Sequence, residues 1–234
     1  LSICTKASRQ GSLEWMWPMT RLASLYQNQN RWKDAEHCYD EIIREAQKAD
    51  PFTCLSPYKS LFLCCFEQGN YEKAAWALCE HLREAEPHSN NDSDVLRDKY
   101  LLARTYVLEG KHGLAIPLFE EVLSGSLGDP EESRELVLLC IETLQPHYCN
   151  QYNWPRVAEL CATGLSLCRP DNDDDLHALL VYRILLVHAY ISMANFELAT
   201  QTLKSFRQTY SKPILLDRLG ENLYRNSIAL QHYY

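Results

Sequence analysis

Ten cysteines and eight histidines in 234 residues offer thiolate nucleophiles, imidazole bases and zinc ligands, so their spacing is the first thing to test. A structural zinc site gathers four ligands, usually with two of them a few residues apart. No C-x-x-C pair occurs, and Cys149 and Cys161 are too far apart in sequence for one helical turn to hold both. Cys38, Cys64, Cys65, Cys79, Cys140, Cys161 and Cys168 fall inside apolar helical stretches, where cysteine packs as a small hydrophobe. Disulfide scaffolds are short secreted chains with regular spacings. Buried free thiols in a reducing intracellular compartment, cytoplasmic or nuclear, are the expectation.

The run Asp171-Asn172-Asp173-Asp174-Asp175 has the acid density of a calcium loop. Such a loop needs glycine at its sixth place and glutamate at its twelfth, and here these are Leu176 and Tyr182. Acids at a helix start explain the run better. Nothing matches G-x-S-x-G, H-E-x-x-H, a phosphate-binding glycine loop or a dinucleotide fingerprint. His188 lies on the apolar stretch Leu185-Leu186-Val187-His188-Ala189 and reads as a packed or surface-lining histidine rather than a base. The chain is read as non-enzymatic, with no metal and no cofactor.

Composition agrees. The chain is 46% hydrophobic and 23% charged, within the ordinary globular range. Lys plus Arg total 23 against 31 Asp plus Glu, a net charge of −8, which disfavours nucleic acid as a partner. There is no uninterrupted apolar run of membrane-spanning length, and Leu1 to Gln10 lack the order of a secretory leader. A start at Leu1 suggests a piece of something longer.

The elements that would position any of these residues are written as a repeat. Leu22-Ala23-Ser24-Leu25-Tyr26, then Asn30-Arg31-Trp32-Lys33-Asp34-Ala35-Glu36, then Tyr39 and Ile42, read as two amphipathic helices joined at a polar turn. The pattern returns at Leu61 to Cys65 with Gly69-Asn70-Tyr71-Glu72-Lys73-Ala74, and at Leu102 to Tyr106 with Gly110-Lys111-His112 and Ala115. It returns again at Leu186 to Tyr190 with Ala194-Asn195-Phe196 and Ala199, and in degenerate form at Leu144, Tyr148, Trp154, Val157 and Cys161. The small residues Ala35, Ala74, Ala115, Val157 and Ala199 are spaced 39, 41, 42 and 42 apart. A short side chain there lets paired helices approach closely, while the preceding aromatic (Trp32, Tyr71, Trp154, Phe196) fills the gap beside it. Each pair is apolar on both flanks, so neighbours must stack.

Punctuation supports the pairing. Ser56-Pro57, Asp92-Ser93-Asp94, Asp129-Pro130 and Asp173-Asp174-Asp175 open helices, and Gly69, Gly110 and Asn195 mark helix ends. Five pairs are expected near 12–50, 54–88, 93–126, 130–169 and 174–211, as a single array over 1–234. A final helix at 213–231, with Leu215, Leu219, Leu223 and Ile228, would cap the last pair. The fourth repeat, with Pro155 after Trp154 and no turn glycine, departs most from the pattern.

Over about 200 residues these blocks resemble the tetratricopeptide repeat family, and Leu22 to Tyr39 is most similar to the long repeats of kinesin light chain. The resemblance implies an all-α superhelix of about five helix pairs plus a capping helix. It also implies a protein-interaction scaffold whose first helices line a concave groove. Carried over, the groove positions are Arg21, Ser24, Asn28, Lys59, Leu63, Arg97, Tyr100, Arg104, Ile184 and His188. Four cations in an acidic chain suggest an acidic peptide held by arginine forks, with Tyr100 and Leu63 adding apolar contact. The alternative is that these cations pair with neighbouring carboxylates. Thr20, Ser24, Ser56, Lys59 and Ser60 do not match the carboxylate clamp of chaperone-tail binders. The other functional reading is a rigid arm of a multisubunit complex, or a sensor or docking segment of a larger protein or enzyme. Oligomeric state is left open.

Overall fold

The computed structural model describes residues 15–49, 55–85, 92–128, 133–169 and 173–209. The expected capping helix at 213–231 and the first dozen residues lie outside them. Among the described residues the chain is helical throughout, without strands. The helices are α1 (Met16–Asn28), α2 (Trp32–Ala49), α3 (Leu55–Glu67), α4 (Tyr71–Ala85), α5 (Asp92–Leu108), α6 (His112–Ser126), α7 (Arg134–Asn150), α8 (Trp154–Leu167), α9 (Asp173–Ser192) and α10 (Phe196–Thr209). They pair in sequence order, giving the five expected helix pairs. The chain divides into two compact units, Leu1–Gly128 with α1 to α6 and Asp129–Tyr234 with α7 to α10.

One turn, built five times, sets the pairing. Each first helix ends on a residue with positive φ: Asn30 (56°), Gly69 (74°), Gly110 (81°), Tyr152 (56°) and Ala194 (56°). The N–H of the following residue then reaches back five residues, from Arg31 to Tyr26, Asn70 to Cys65, Lys111 to Tyr106, Asn153 to Tyr148 and Asn195 to Tyr190, at 2.8 to 3.0 Å. This closure satisfies carbonyls the helix end would otherwise leave bare. The second helix starts at once, and in three repeats an asparagine caps it. Asn70, Asn153 and Asn195 each accept a backbone N–H three residues on, at 3.3 to 3.4 Å.

Two sequence readings change here. Asn195 opens a helix rather than ending one, since Ala194 takes the left-handed position. The fourth repeat keeps the common turn without a glycine, and Pro155 falls in the first turn of α8, where no N–H is needed. Tyr152 and Ala194 therefore hold a conformation that costs a residue with a Cβ about 1 kcal/mol. Replacing either with glycine is expected to raise unfolding free energy by about 0.5–1 kcal/mol in urea titration. A loss of stability in both variants would mean the turn is not under strain.

The marker residues are equivalent, as their spacing predicted. Ala35, Ala74, Ala115 and Val157 are wholly buried and Ala199 nearly so. Each donates its N–H to the carbonyl four residues back in the turn, namely Arg31, Asn70, Lys111, Asn153 and Asn195. Four residues further on, Tyr39, Leu78, Phe119 and Cys161 are sealed into the interior. The aromatic before the marker works across repeats: Trp154 meets His188 of α9 edge-on at 4.7 Å between ring centroids. Phe196, by contrast, is 55% exposed, because α10 is the last described helix and no later first helix covers it among the described residues.

Candidate functional site

Within the first unit the three first helices lie side by side. Gln27 Nε2 of α1 donates to the Ser60 carbonyl of α3 at 3.5 Å and to Cys64 Sγ at 3.3 Å, while its Oε1 accepts from the Tyr39 hydroxyl at 3.0 Å. Lys59 of α3 bonds Asp98 of α5, with Nζ 2.7 Å from Oδ1. These contacts link α1 to α3 and α3 to α5, so exposed residues of the three first helices share one side of the unit.

The exposed side chains on that face follow helical spacing. Arg21 and Asn28 of α1 are exposed, as are Lys59 and Leu63 of α3 and Arg97 and Arg104 of α5. Trp17 and Leu25 flank Arg21 four residues to either side, and Leu108 ends the α5 row; all three are exposed large hydrophobics. The sequence pattern carried the first six. It missed Trp17, Leu25 and Leu108, although steps of four from Arg21 and Arg104 would have reached them.

Tyr100 does not belong to the surface. It is 7% exposed, and its ring meets Phe119 of α6 edge-on at 5.7 Å, filling the gap between paired helices. The Arg104 guanidinium lies 6.0 Å from the centre of that ring, so Tyr100 supports a cation rather than touching a ligand. Ser24 donates its hydroxyl to the Thr20 carbonyl at 2.9 Å, a local bond. In the second unit His188 is half-buried against Trp154, and burial lowers its imidazole pKa from 6.5, favouring the neutral ring. Ile184 is likewise half-buried.

The cations differ in kind. Arg21, Arg97 and Arg104 form no ion pair with described residues, and Arg21 sits 5.9 Å from the centre of the exposed Trp17 ring. Lys59 is committed to Asp98, which is buried and also 3.1 Å from His81 Nε2 of α4. Burial pushes the Asp98 carboxyl up, but the hydrogen bonds from His81 and Lys59 outweigh it and hold the pKa below 3.8. Carboxylates on the second helices are paired elsewhere, as Lys73 of α4 bridges Glu36 and Asp40 of α2 at 2.6 and 2.7 Å. In the second unit Arg134 of α7 joins Asp175 of α9 and donates to the Leu167 carbonyl of α8 at 2.8 Å. Asp175, read from sequence as a helix-start acid, is this buried partner, and it also accepts the Arg169 N–H at 2.7 Å.

The eight cysteines among the described residues form no disulfide. Burial raises the thiols of Cys64 and Cys65 to about 11 and about 12, away from nucleophilic range. No helix among the described residues is long and apolar enough to cross a membrane.

No protein-family model matches the sequence, nor does any curated protein. Solved structures do match. BtubC (BKLC) from P. vanneervenii superposes with a TM-score of 0.54 at 18% identity, over 89% of this chain and 88% of that one. A set of nearly identical TPR-like repeats from Podosopora anserina, assigned to a kinesin light chain, gives 0.53 at 16% identity over 83% and 94%. YrrB, described as a TPR protein with an unusual peptide-binding site, gives 0.52 at 16% over 93% and 97%. With the shared turn, the small residue at a constant step and consecutive helix pairing, this chain has the tetratricopeptide repeat fold.

Proposed function

We propose that this chain is a non-catalytic protein-interaction scaffold that holds an acidic peptide segment of a partner protein on the face made by α1, α3 and α5. One observation carries the reading: Arg21, Arg97 and Arg104, free of ion pairs to described residues, are exposed on first helices that also expose Trp17, Leu25 and Leu63, in a chain whose net charge is −8. An arginine fork matches a carboxylate with two parallel hydrogen bonds, and neighbouring apolar side chains add desolvated contact. Helix-lined faces of this kind receive peptides by that combination of charge and anchor. YrrB, which shares the fold, has a peptide-binding site by its description. Eight cysteines without a disulfide among the described residues fit a reducing intracellular setting.

A random peptide library displayed on phage and selected on the purified chain tests this. Enriched sequences should be acidic. Synthetic copies should lose at least about tenfold in affinity, or 1.4 kcal/mol, when Arg97 and Arg104 are both changed to Glu. Selected peptides that bind the doubly reversed variant unchanged would move the site off this face, toward an architectural role for the ends or the second helices.

A further inference from the structure

Tyr152 stands where the backbone is least suited to hold it. Of the five left-handed turn residues, Asn30, Gly69, Gly110 and Ala194 are small or adapted to turns, whereas Tyr152 (φ 56°) carries a large ring into a conformation that bulky side chains avoid. Strain kept in place of the stability that glycine would restore points to a function. Packing does not account for it, since Tyr152 is 76% exposed, more than any other large hydrophobic among the described residues. Its ring stands against Trp154, with centroids 6.1 Å apart and planes at 69°, and Trp154 in turn meets His188 of α9 at 4.7 Å and 68°. Rings that cross this steeply form upright walls rather than a flat stack. The two steps together span at most about 11 Å, comparable with one turn of a polyproline II chain at about 9 Å.

The chain around these rings is uncharged. Residues 143–155 and 184–195, which carry them, contain no Asp, Glu, Lys or Arg, although the whole chain is 23% charged. The Tyr152 hydroxyl, the Trp154 indole N–H and the His188 imidazole form no hydrogen bond with other described residues, and none of these polar atoms is sealed from solvent. We propose that this aromatic ledge binds a proline-rich segment of a partner protein in the polyproline II conformation, one turn of it lying against Tyr152, Trp154 and His188. Proline supplies an apolar ring and a carbonyl but no N–H, so it fits between aromatic walls and accepts hydrogen bonds from the indole and the hydroxyl. A charged side chain would be desolvated here without a counter-charge. The ledge belongs to the second unit, so the inference does not depend on the acidic-peptide reading of the first.

Fluorescence anisotropy of the whole chain with a labelled oligoproline peptide tests this, against a Gly/Ser peptide of equal length and one bearing trimethyl-lysine. Oligoproline should bind at least about tenfold more tightly than either. Tyr152→Gly, expected to be more stable than wild type in urea, should lose at least about fivefold in affinity, so that stability and binding move in opposite directions. Trp154→Phe keeps an aromatic ring but removes the indole N–H, and should also lose about fivefold. The Arg97→Glu/Arg104→Glu protein should bind oligoproline as wild type does. No oligoproline binding, or binding unchanged in Tyr152→Gly, overturns the inference. Tighter binding of the trimethyl-lysine peptide overturns it in favour of a cation held by the rings.

Discussion

Gly164→Ala is expected to destabilise the second unit by about 3 kcal/mol, even though alanine is the better helix former by about 1 kcal/mol. Gly164 lies buried in α8, and a Cβ built there would stand 2.6 Å from Cε2 and 2.8 Å from Cδ2 of Tyr182 on α9. Tyr182 is among the largest fully buried side chains, so its ring has nowhere to retreat. Gly113 in α6 provides the control: a Cβ there meets nothing within 4 Å, so Gly113→Ala should stabilise by about 0.5–1 kcal/mol. Gly125 falls between the two, because the atom it would strike, 2.8 Å away, is the flexible end of Leu96. Urea unfolding of the three alanine variants should therefore give opposite signs for Gly113 and Gly164. Pairing Gly164→Ala with Tyr182→Leu should recover part of the loss in a double-mutant cycle, since the clash is between those two residues alone. If Gly164→Ala were neutral, α8 and α9 would not be in the close contact on which the repeat depends.

That contact also shows what a linear reading can and cannot reach. The step from Ala35 to Ala74, Ala115, Val157 and Ala199 was legible because one small residue per pair is required wherever two helices meet closely, and all five are buried. Gly164 carries the same requirement without any repeated partner in the other pairs, so nothing in the sequence marks it. The left-handed residues divide in the same way. Gly69 and Gly110 declare themselves, whereas Tyr152 and Ala194 adopt positive φ only because the closing hydrogen bonds of the turn hold them there.

The candidate face was partly legible for a geometric reason. Arg97 and Arg104 are seven residues apart and fall on one line of α5, whereas Tyr100 lies about 60° round the helix from Arg97. Spacing defines the stripe but not its covered edge, and α6 covers Tyr100 through Phe119. The pairing of Lys59 was beyond reach for another reason. Its partner Asp98 is one residue from Arg97 in sequence yet points into the interface between repeats, toward both Lys59 and His81. Only the stacking of α3, α4 and α5 brings those charges together.

The same triad yields the strongest pH-dependent prediction. Asp98→Ala removes the acceptor that joins three successive helices and leaves the His81 ring without this partner. Breaking a buried pair costs about 3–5 kcal/mol, but Lys59 is about half exposed and can turn into water, so about 2 kcal/mol at neutral pH is expected. Burial alone would raise the Asp98 pKa; because hydrogen bonds from His81 and Lys59 prevail, the folded value lies below 3.8. For a carboxyl depressed in the folded state, the unfolded chain binds the proton first as pH falls. The stabilisation is complete above the unfolded pKa and disappears as pH drops through the folded one. The gap in unfolding free energy between wild type and Asp98→Ala should therefore be full at pH 7 and close on acidification below 3.8. Asp98→Asn, which keeps shape and one acceptor, should cost about half as much at neutral pH. An Asp98→Ala deficit that stays constant from neutral to strongly acid solution would assign the loss to packing rather than to the charged contacts of Asp98.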